Sequence, residues 1–221
     1  MPLHLYLIRH GETAWALNGR HTGISDIPLT DNGVDQAREL GPHLAGISFT
    51  HIFTSPRERS RDTCKLARLD GITEIEPDLA EWNYGNYEGE TSADIRKARP
   101  DWDIFRDGCP QGEMPDQILA RADRLIARLR LLDGNVALFS HGQFGGVLGA
   151  RWIGLPLGEA CHFPLGTASI SILGHDPHHP EVSVISLWNF ISHPIANPVA
   201  SDQAMKKQAI SLWENEGGKI T

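Results

Sequence analysis

Short apolar runs, each bounded by polar or glycine-rich stretches, recur along the chain. Runs of this length predict buried β-strands, because a strand covered on both faces needs apolar side chains at consecutive positions. The predicted strands span residues 3–8, 51–54, 73–79, 135–139, 168–173 and 182–188. Pro77 lies inside the third run, and since proline cannot donate a ladder hydrogen bond, it predicts an edge or a bend there.

Apolar residues spaced by three and four positions predict helices between these strands. Thr30 is the predicted N-cap of a helix that ends at Gly46. Further helices are predicted over residues 58–69, 92–98, 118–132 and 145–153. The helix over 118–132 is the most clearly amphipathic, and its arginines are expected on a solvated face. These arginines are Arg121, Arg124, Arg128 and Arg130.

Strands that alternate with helices predict an α/β fold, a three-layer sandwich with a largely parallel central sheet. We expect a single domain over residues 1–221. Residues of about 82–115 are irregular and aromatic, which is typical of a lid or binding insert. From about residue 193 onward the chain forms a C-terminal tail with no strong periodicity beyond a short helix predicted after Ser201.

The 221 residues are 40% hydrophobic and 22% charged, as in ordinary globular proteins, and the formal net charge is −8. An acidic surface does not attract nucleic acid or anionic membranes, so any anion must be captured by a local basic pocket. The odd number of widely spaced cysteines (Cys64, Cys109, Cys161) favours a reducing compartment. With no signal-like start and no bilayer-length apolar segment, we predict a cytoplasmic protein.

Polar side chains follow three of the predicted strands at the point where each strand ends. They are Arg9, His10, Ser55, Arg57, Arg59, Arg61, Ser140 and His141, of which Arg57 and Arg61 are expected at the rim or surface. Open α/β sheets bind ligands at the carboxyl edge of their strands, so these groups are expected to meet around one ligand. Guanidinium groups match the oxygens of phosphate, which makes phosphate the predicted ligand.

A histidine among arginines also predicts a reaction. A neutral imidazole nitrogen can attack phosphorus, while arginine and a second histidine stabilise the equatorial oxygens. The leaving alkoxide needs a proton, and Glu81, flanked by aromatic residues, is the predicted donor. The alternative donors are Glu88, which lies in the same loop, and Glu12, which is the third choice.

Four blocks resemble the histidine phosphatase superfamily, which also contains the cofactor-dependent phosphoglycerate mutases. The blocks are Arg9-His10-Gly11-Glu12-Thr13, Ser55-Pro56 followed by Arg59 and Thr63, Glu81 with Gly85 and Glu88-Gly89, and Ser140-His141-Gly142. They occur in the family's order between Leu3 and about Leu155. The resemblance implies a phosphoglycerate mutase-like fold and a phosphatase acting on a small phosphorylated metabolite.

The resemblance also implies roles for individual residues. His10 would be the phosphorylated nucleophile, and Glu81 would donate a proton and later activate water. The phosphoryl group would be held by Arg9, Arg59 and His141. The expected pocket-lining and substrate-binding residues are Thr22, Gly23, Ser55, Tyr84 and Gln143.

Within the family, residues 53–59, 81–89 and 106–109 look most like the sedoheptulose bisphosphatase branch, which favours a sugar phosphate as substrate. Two positions depart from the family pattern. Ala16 replaces an asparagine that many members carry, and Gly146 stands where many phosphatases have an arginine that binds a second anionic group. Arg20, Arg57 and Arg106 are the candidates to replace that arginine.

Several alternatives stay open at this point. The chain could be a phosphoglycerate mutase or a module that binds phosphate esters without turnover. Trp82, Tyr84 and Trp102 either stack on the substrate or cover the sheet. No cofactor and no metal site is expected, because the chain has no H-E-x-x-H, P-loop or G-x-G-x-x-G motif. Residues 175–180 contain metal-ligand residue types, but they predict a solvated hairpin loop. The oligomeric state is not predicted.

Overall fold

The computed structural model describes residues 1–191, which form a six-stranded sheet. The strands are β1 (His4–Arg9), β2 (Phe49–Thr54), β3 (Thr73–Ile75), β4 (Asn135–Ser140), β5 (Ile170–His175) and β6 (Ser183–Phe190). They are ordered β3-β2-β4-β1-β5-β6 across the sheet. The pairs β1–β4, β2–β4 and β2–β3 are parallel, and β5 pairs antiparallel with both β1 and β6. The sheet is therefore mixed and mostly parallel, as predicted.

Helices connect the strands. The α-helices are α1 (Ala14–Leu17), α2 (Asp31–Leu44), α3 (Glu58–Ala67), α4 (Ser92–Ala98), α5 (Ile104–Asp107), α6 (Pro115–Leu129) and α7 (Gly142–Trp152). Short 3-10 helices span Pro77–Leu79, Gly85–Tyr87 and Leu157–His162. Thr30 caps α2 as predicted, because its hydroxyl accepts a 3.0 Å hydrogen bond from the backbone N–H of Gly33.

The sheet is covered on both faces. Leu5 and Leu7 of β1 pack into one apolar cluster with residues of α6 and α7. Ile8, which points to the opposite face, packs into a second cluster with residues of α2 and α3. This division follows from the alternation of side chains along a strand, and it confirms the predicted three-layer sandwich.

Several predicted boundaries differ from the structure for identifiable reasons. The third strand stops at Ile75, and Pro77 begins a 3-10 helix instead of ending a strand. The fifth strand starts at Ile170, and the predicted first residue, Ala168, has a φ of 50°, which lies outside the extended region. Helix α7 begins at Gly142 because, as described below, a carboxylate from another segment caps its first turn.

Of the four arginines predicted on a solvated face, Arg124, Arg128 and Arg130 are exposed as predicted, whereas Arg121 is not. Arg121 is buried, and it binds the carboxylate of Glu113 with two nitrogens at 2.8 Å each. Arg124 binds the carboxylate of Asp78 and Arg128 binds that of Glu76. The solvated face of α6 thus also carries ion pairs, and these attach the helix to residues 76–81.

The aromatic segment over about 82–115 packs against the main core. Trp82 and Trp102 are buried in the same apolar cluster as α6 and α7. Their indole N–H groups donate to the carbonyls of Glu113 at 2.9 Å and Gly108 at 3.0 Å. Both tryptophans thus cover the core, and whether the segment also acts as a lid remains a prediction.

The hairpin between β5 and β6 has the predicted character. Asp176 accepts the backbone N–H groups of His178 at 2.8 Å and His179 at 2.9 Å, which is a local turn stabilised by an aspartate side chain. Both histidines are exposed. Within residues 1–191, no helix has the length and apolarity to cross a membrane. The predicted tail from about residue 193 lies outside the described residues.

Candidate active site

Strand register brings the predicted residues together. β4 lies between β2 and β1, and Arg9 pairs with Ser140 at the carboxyl end of β1 while Thr54 pairs with Phe139 at the end of β2. The residues that immediately follow these strands are His10, Ser55 and His141. They therefore project from three adjacent strand ends, as the sequence predicts.

His10 is buried and has one ring nitrogen committed to the backbone. Its Nδ1 donates to the carbonyl of Gly11 at 2.7 Å, which leaves a lone pair on Nε2. The guanidinium Nε of Arg59 donates to that nitrogen at 3.3 Å. Burial, with the charges of Arg9 and Arg59, holds the pKa of His10 well below its usual range. The imidazole is therefore neutral, and its Nε2 lone pair, which accepts from Arg59 here, is available as a nucleophile once that hydrogen bond is exchanged for phosphorus.

Gly11 has a structural role that the sequence analysis did not identify. Its close neighbour is the backbone carbonyl of Gly33 in α2. A Cβ at Gly11 would lie 2.4 Å from that oxygen. The backbone N–H of Gly11 donates to the hydroxyl of Thr63 at 2.9 Å, so α2 and α3 both fix the position of His10.

His141 is the N-cap residue of α7 and is completely buried. Its Nε2 lies 2.7 Å from the hydroxyl of Ser55, and its ring centroid lies 5.2 Å from that of His10. Burial, together with the positive charges of the neighbouring arginines, holds the pKa of His141 well below its usual range. Both histidines are thus neutral at physiological pH.

Arg59 is fully buried beside His10, and loop carbonyls hold its guanidinium in place. The acceptors are Ser25 at 3.0 Å, Thr22 at 2.8 Å and Gly23 at 3.2 Å. Burial lowers the pKa of Arg59, although a guanidinium stays charged at any working pH.

Arg9 is half-buried at the end of β1. Its terminal nitrogen donates to the carbonyl of Leu165, whereas its buried Nε has no partner within residues 1–191. A Cβ at Gly142 would lie 3.2 Å from the Arg9 guanidinium, so the backbone of α7 packs closely against this group. The Arg9 Nε is therefore a donor that the described protein groups do not use.

Glu81 lies against the first turn of α7. Its carboxylate accepts backbone N–H groups from Gln143 at 3.0 Å, Phe144 at 2.7 Å and Trp82 at 2.9 Å. The carbonyl of Glu81 itself accepts from Arg121 at 3.3 Å. Helix N-termini favour negative charge, so α7 fixes the carboxylate at the edge of the site while Arg121 of α6 holds the backbone of the same residue.

The two alternative acids have other contacts. Glu88 accepts the backbone N–H groups of Gly23 at 2.9 Å and Ser25 at 3.0 Å. It therefore holds the loop whose carbonyls bind Arg59. Glu12 accepts from the hydroxyl of Thr30 at 2.7 Å and supports the start of α2. Of the three carboxyl groups, Glu81 is the one that reaches the cavity.

A cavity of about 410 Å³ opens above His10. Of the sequence-predicted site residues, its wall includes Arg9, His10, Thr22, Glu81, Tyr84 and Gln143. Four predicted site residues are buried behind this wall and do not line it: Arg59, His141, Ser55 and Gly23. Ser55 lies behind His141, and a Cβ on Gly23 would meet the Trp82 carbonyl at 2.5 Å. Tyr84 faces the cavity, and burial raises the pKa of its hydroxyl well above the usual range, so it stays neutral.

Of the three candidate replacement arginines, Arg20 lines the cavity. It is exposed, donates to the carbonyl of Gly89 at 2.6 Å, and has no carboxylate partner within the described part of the chain. Arg57 bonds to the carbonyl of Ile24 and does not reach the cavity wall. Arg106 pairs with Asp107 at 2.9 Å on the outer surface.

The two family departures have different consequences. Ala16 lines the cavity, and the wall therefore lacks the amide group that an asparagine at this position would supply. Gly146 is covered by the turn that follows α7, since a Cβ there would lie 2.9 Å from the Phe163 carbonyl and 3.2 Å from that of Ala160. An arginine at position 146 therefore has no room, and the backbone occupies its place.

His21 is a cavity residue that the sequence analysis did not single out. It stacks on Tyr84 with ring centroids 4.5 Å apart, and its Nε2 lies 3.2 Å from the hydroxyl of Ser92. Burial lowers the pKa of His21 to about 4. In the sequence, His21 stands next to Arg20 in a polar loop, and no motif or periodicity there distinguishes it as a site residue.

The described residues contain no group of three or more side chains placed to hold a metal ion. Cys64 and Cys109 are buried and Cys161 is exposed, and all three are free thiols. Cys161 lies in the cavity wall.

Comparison with known proteins adds independent information. A family model described as the histidine phosphatase superfamily (branch 1) matches residues 5–187. An acid phosphatase from Mycobacterium tuberculosis is 42% identical over 201 residues, which cover 89% of this chain and 96% of the relative. A sedoheptulose 1,7-bisphosphatase from Saccharomyces cerevisiae is 35% identical over 188 residues, covering 70% of this chain and 69% of the relative.

A solved structure gives the same result at the level of fold. The product of a characterised open reading frame from Mycobacterium tuberculosis matches with a TM-score of 0.81 and 40% sequence identity. The match covers 86% of this chain and 98% of that one. The mixed α/β sandwich described above is therefore shared along most of both chains.

Proposed function

Because the chain belongs to the histidine phosphatase superfamily, we propose that it hydrolyses small phosphate monoesters through a phosphohistidine formed on Nε2 of His10. The family and its phosphatase members make it a phosphoric monoester hydrolase, as predicted. The proposal for the intermediate rests on one observation. The hydrogen bond from Nδ1 to the Gly11 carbonyl places the only ring proton away from Nε2.

In the first step, Nε2 attacks phosphorus and the bond to the ester oxygen breaks. Glu81, in its protonated form, gives its proton to that oxygen, so the alcohol leaves as a neutral molecule. The carboxylate that remains is stabilised by the three backbone N–H groups around it. Arg9, Arg59 and His141 donate to the equatorial oxygens, on which charge accumulates.

In the second step, water attacks the phosphorus of the phosphohistidine. The Glu81 carboxylate takes a proton from that water, inorganic phosphate leaves, and the lone pair on His10 Nε2 is restored. Every proton and phosphoryl movement is supplied by the chain, the ester and water. The proposed reaction therefore needs no metal ion and no cofactor.

For the substrate we propose a sugar phosphate that carries a second anionic group. Two observations support this choice. A relative that is 35% identical is named a sedoheptulose 1,7-bisphosphatase. Arg20 adds a cation without a carboxylate partner to the wall of the cavity above His10. The cytoplasmic location predicted from the three cysteines also remains a proposal.

Trapping of the phosphoenzyme tests the proposal. Brief incubation with a ³²P-labelled sugar phosphate in the presence of a chelator should label the wild type with an acid-labile, base-stable phosphate. His10→Ala should show neither label nor turnover. His178→Ala, which changes an exposed histidine of the β5–β6 hairpin, is the matched control and should behave as wild type. Full activity of His10→Ala would end the proposal.

A further inference from the structure

Within residues 1–191, Ser55 is the one buried hydroxyl in contact with His10 or His141, and like His141 it lies behind the cavity wall. Its oxygen lies 2.7 Å from Nε2 of His141 and accepts the backbone N–H of Arg57 at 3.2 Å. These are its two hydrogen-bond contacts within residues 1–191. The hydroxyl proton therefore has a single acceptor within reach, the Nε2 lone pair of His141.

The alternative arrangement satisfies fewer groups. If His141 carried its proton on Nε2, that proton would point at the Ser55 oxygen, and the hydroxyl proton of Ser55 would be buried with no acceptor in the described protein. When Ser55 donates, the described protein leaves one buried group unpaired, the N–H at Nδ1 of His141. The alternative leaves two, the Ser55 hydroxyl proton and the Nδ1 lone pair, so the arrangement in which Ser55 donates is favoured. Nδ1 of His141 is then the protonated nitrogen.

Nδ1 of His141 is itself a buried atom with no hydrogen-bond partner in residues 1–191. The ring lies next to His10, where the proposed reaction places the phosphoryl group. A protonated Nδ1 can donate to a phosphoryl oxygen, whereas a lone pair at this position would repel it. The tautomer of His141 thus decides whether this histidine supports or opposes binding.

We propose that Ser55 is a positioning residue for the phosphatase reaction: its hydroxyl donates to Nε2 of His141 and so fixes the ring proton on Nδ1, from which it is donated to the phosphoryl group. The inference rests on the function proposed above. Ser55 touches neither the substrate nor the reacting atoms, and it acts through His141.

Nuclear magnetic resonance of the full-length protein with ¹⁵N-labelled histidine tests the tautomer directly, with and without inorganic phosphate. The His141→Gln variant identifies the signals of His141. In the wild type, Nδ1 should be protonated and Nε2 should carry the lone pair. In Ser55→Ala, the proton should shift toward Nε2. Finding the wild-type proton on Nε2 would overturn the inference.

Kinetics supply the second readout. Ser55→Ala should lower kcat/KM by about 10- to 100-fold, since one donor to the charged transition state is weakened. Ser60→Ala is the matched control: Ser60 is also a fully buried serine, but its hydroxyl donates to the Phe139 carbonyl at 2.9 Å and contacts neither histidine. It should keep kcat/KM near the wild-type value.

An equal loss in both serine variants, or no loss in Ser55→Ala, would contradict the inference. Phosphohistidine trapping separates its failure from that of the proposed function. If the wild type forms no phosphohistidine, the proposed function is wrong. If phosphohistidine forms while His141 carries its proton on Nε2, only the role of Ser55 is wrong.

Discussion

Replacing Glu81 by glutamine removes the proton that we assign to the leaving group while keeping the size and hydrogen-bonding oxygen of the side chain. General acid catalysis contributes about 10²- to 10⁴-fold to rate, so kcat/KM for an alkyl phosphate should fall by that factor. For a two-step enzyme, kcat/KM reports the steps up to release of the alcohol. It therefore isolates the step in which Glu81 acts as the acid.

Glu81→Gln should lower the free energy of unfolding too little to unfold the protein. The amide oxygen of glutamine can keep the bonds from Trp82 at 2.9 Å and Phe144 at 2.7 Å. The amide nitrogen then faces the N–H of Gln143, which loses its 3.0 Å acceptor. One unsatisfied N–H costs about 1–3 kcal/mol. Domain stabilities are about 5–15 kcal/mol, so Glu81→Gln should fold.

Leaving-group dependence is the assay that identifies an acid. A p-nitrophenolate ion leaves without protonation, whereas a sugar alkoxide does not. Glu81→Gln should therefore lose less than about 10-fold in kcat/KM on p-nitrophenyl phosphate, against the full loss on a sugar phosphate. Equal losses on both substrates would refute the assignment of Glu81 as the acid.

Glu88→Gln is the control for this experiment. Glu88 binds the backbone N–H groups of Gly23 and Ser25, so its replacement should lower stability by about 1–3 kcal/mol. Any change in kcat/KM should be the same for both substrates, because Glu88 contacts the loop that holds Arg59 and not the leaving group. A leaving-group effect in Glu88→Gln would mean that the acid is Glu88.

Three further predictions follow from other parts of the site. Arg20→Gln should raise KM for a bis-anionic sugar phosphate by about 2- to 5-fold and leave KM for p-nitrophenyl phosphate unchanged, since this exposed cation has no carboxylate partner within residues 1–191; equal KM changes would contradict it. Gly146→Ala should destabilise the protein by about 1–3 kcal/mol in urea unfolding, because its Cβ would meet a carbonyl oxygen at 2.9 Å; an unchanged midpoint would contradict it. Burial keeps the pKa values of His10 and His141 in the folded protein well below the usual 6.5. Below about pH 6.5 the unfolded chain therefore binds more protons than the folded protein does. Stability should fall as pH drops from about 6.5 to 5, by up to about 1.4 kcal/mol per pH unit for each histidine, and His141→Gln should reduce that slope.

The core elements were predictable because each follows from local periodicity. The apolar run that forms β1 and the three- and four-residue spacing that forms α6 both predict which neighbouring positions are buried, and this pattern can be recognised from the sequence alone. Boundaries were less predictable where a distant group decides them. Helix α7 begins at Gly142 because the carboxylate of Glu81, some sixty residues earlier, accepts its first N–H groups.

The site residues also divide into those that the sequence predicts and those that only the fold identifies. Residue types at strand ends predicted His10 and His141, since parallel strands must deliver their carboxyl ends to one edge. Choosing among chemically equal residues required the fold. Glu81 and Glu88 are both carboxylates in one loop, and only their contacts show that one faces the cavity while the other holds a loop.

The sequence by itself predicted the α/β class and the residues that meet at the strand ends, because these follow from periodicity along the chain. It indicated the family through the resemblance of four motif blocks. Only the tertiary structure decided which arginine lines the cavity, why Gly11 and Gly146 are glycines, and that the Ser55 hydroxyl contacts His141. Those answers depend on distances between atoms far apart in the chain. No local pattern of residues encodes them, because each is set by how separate elements pack together.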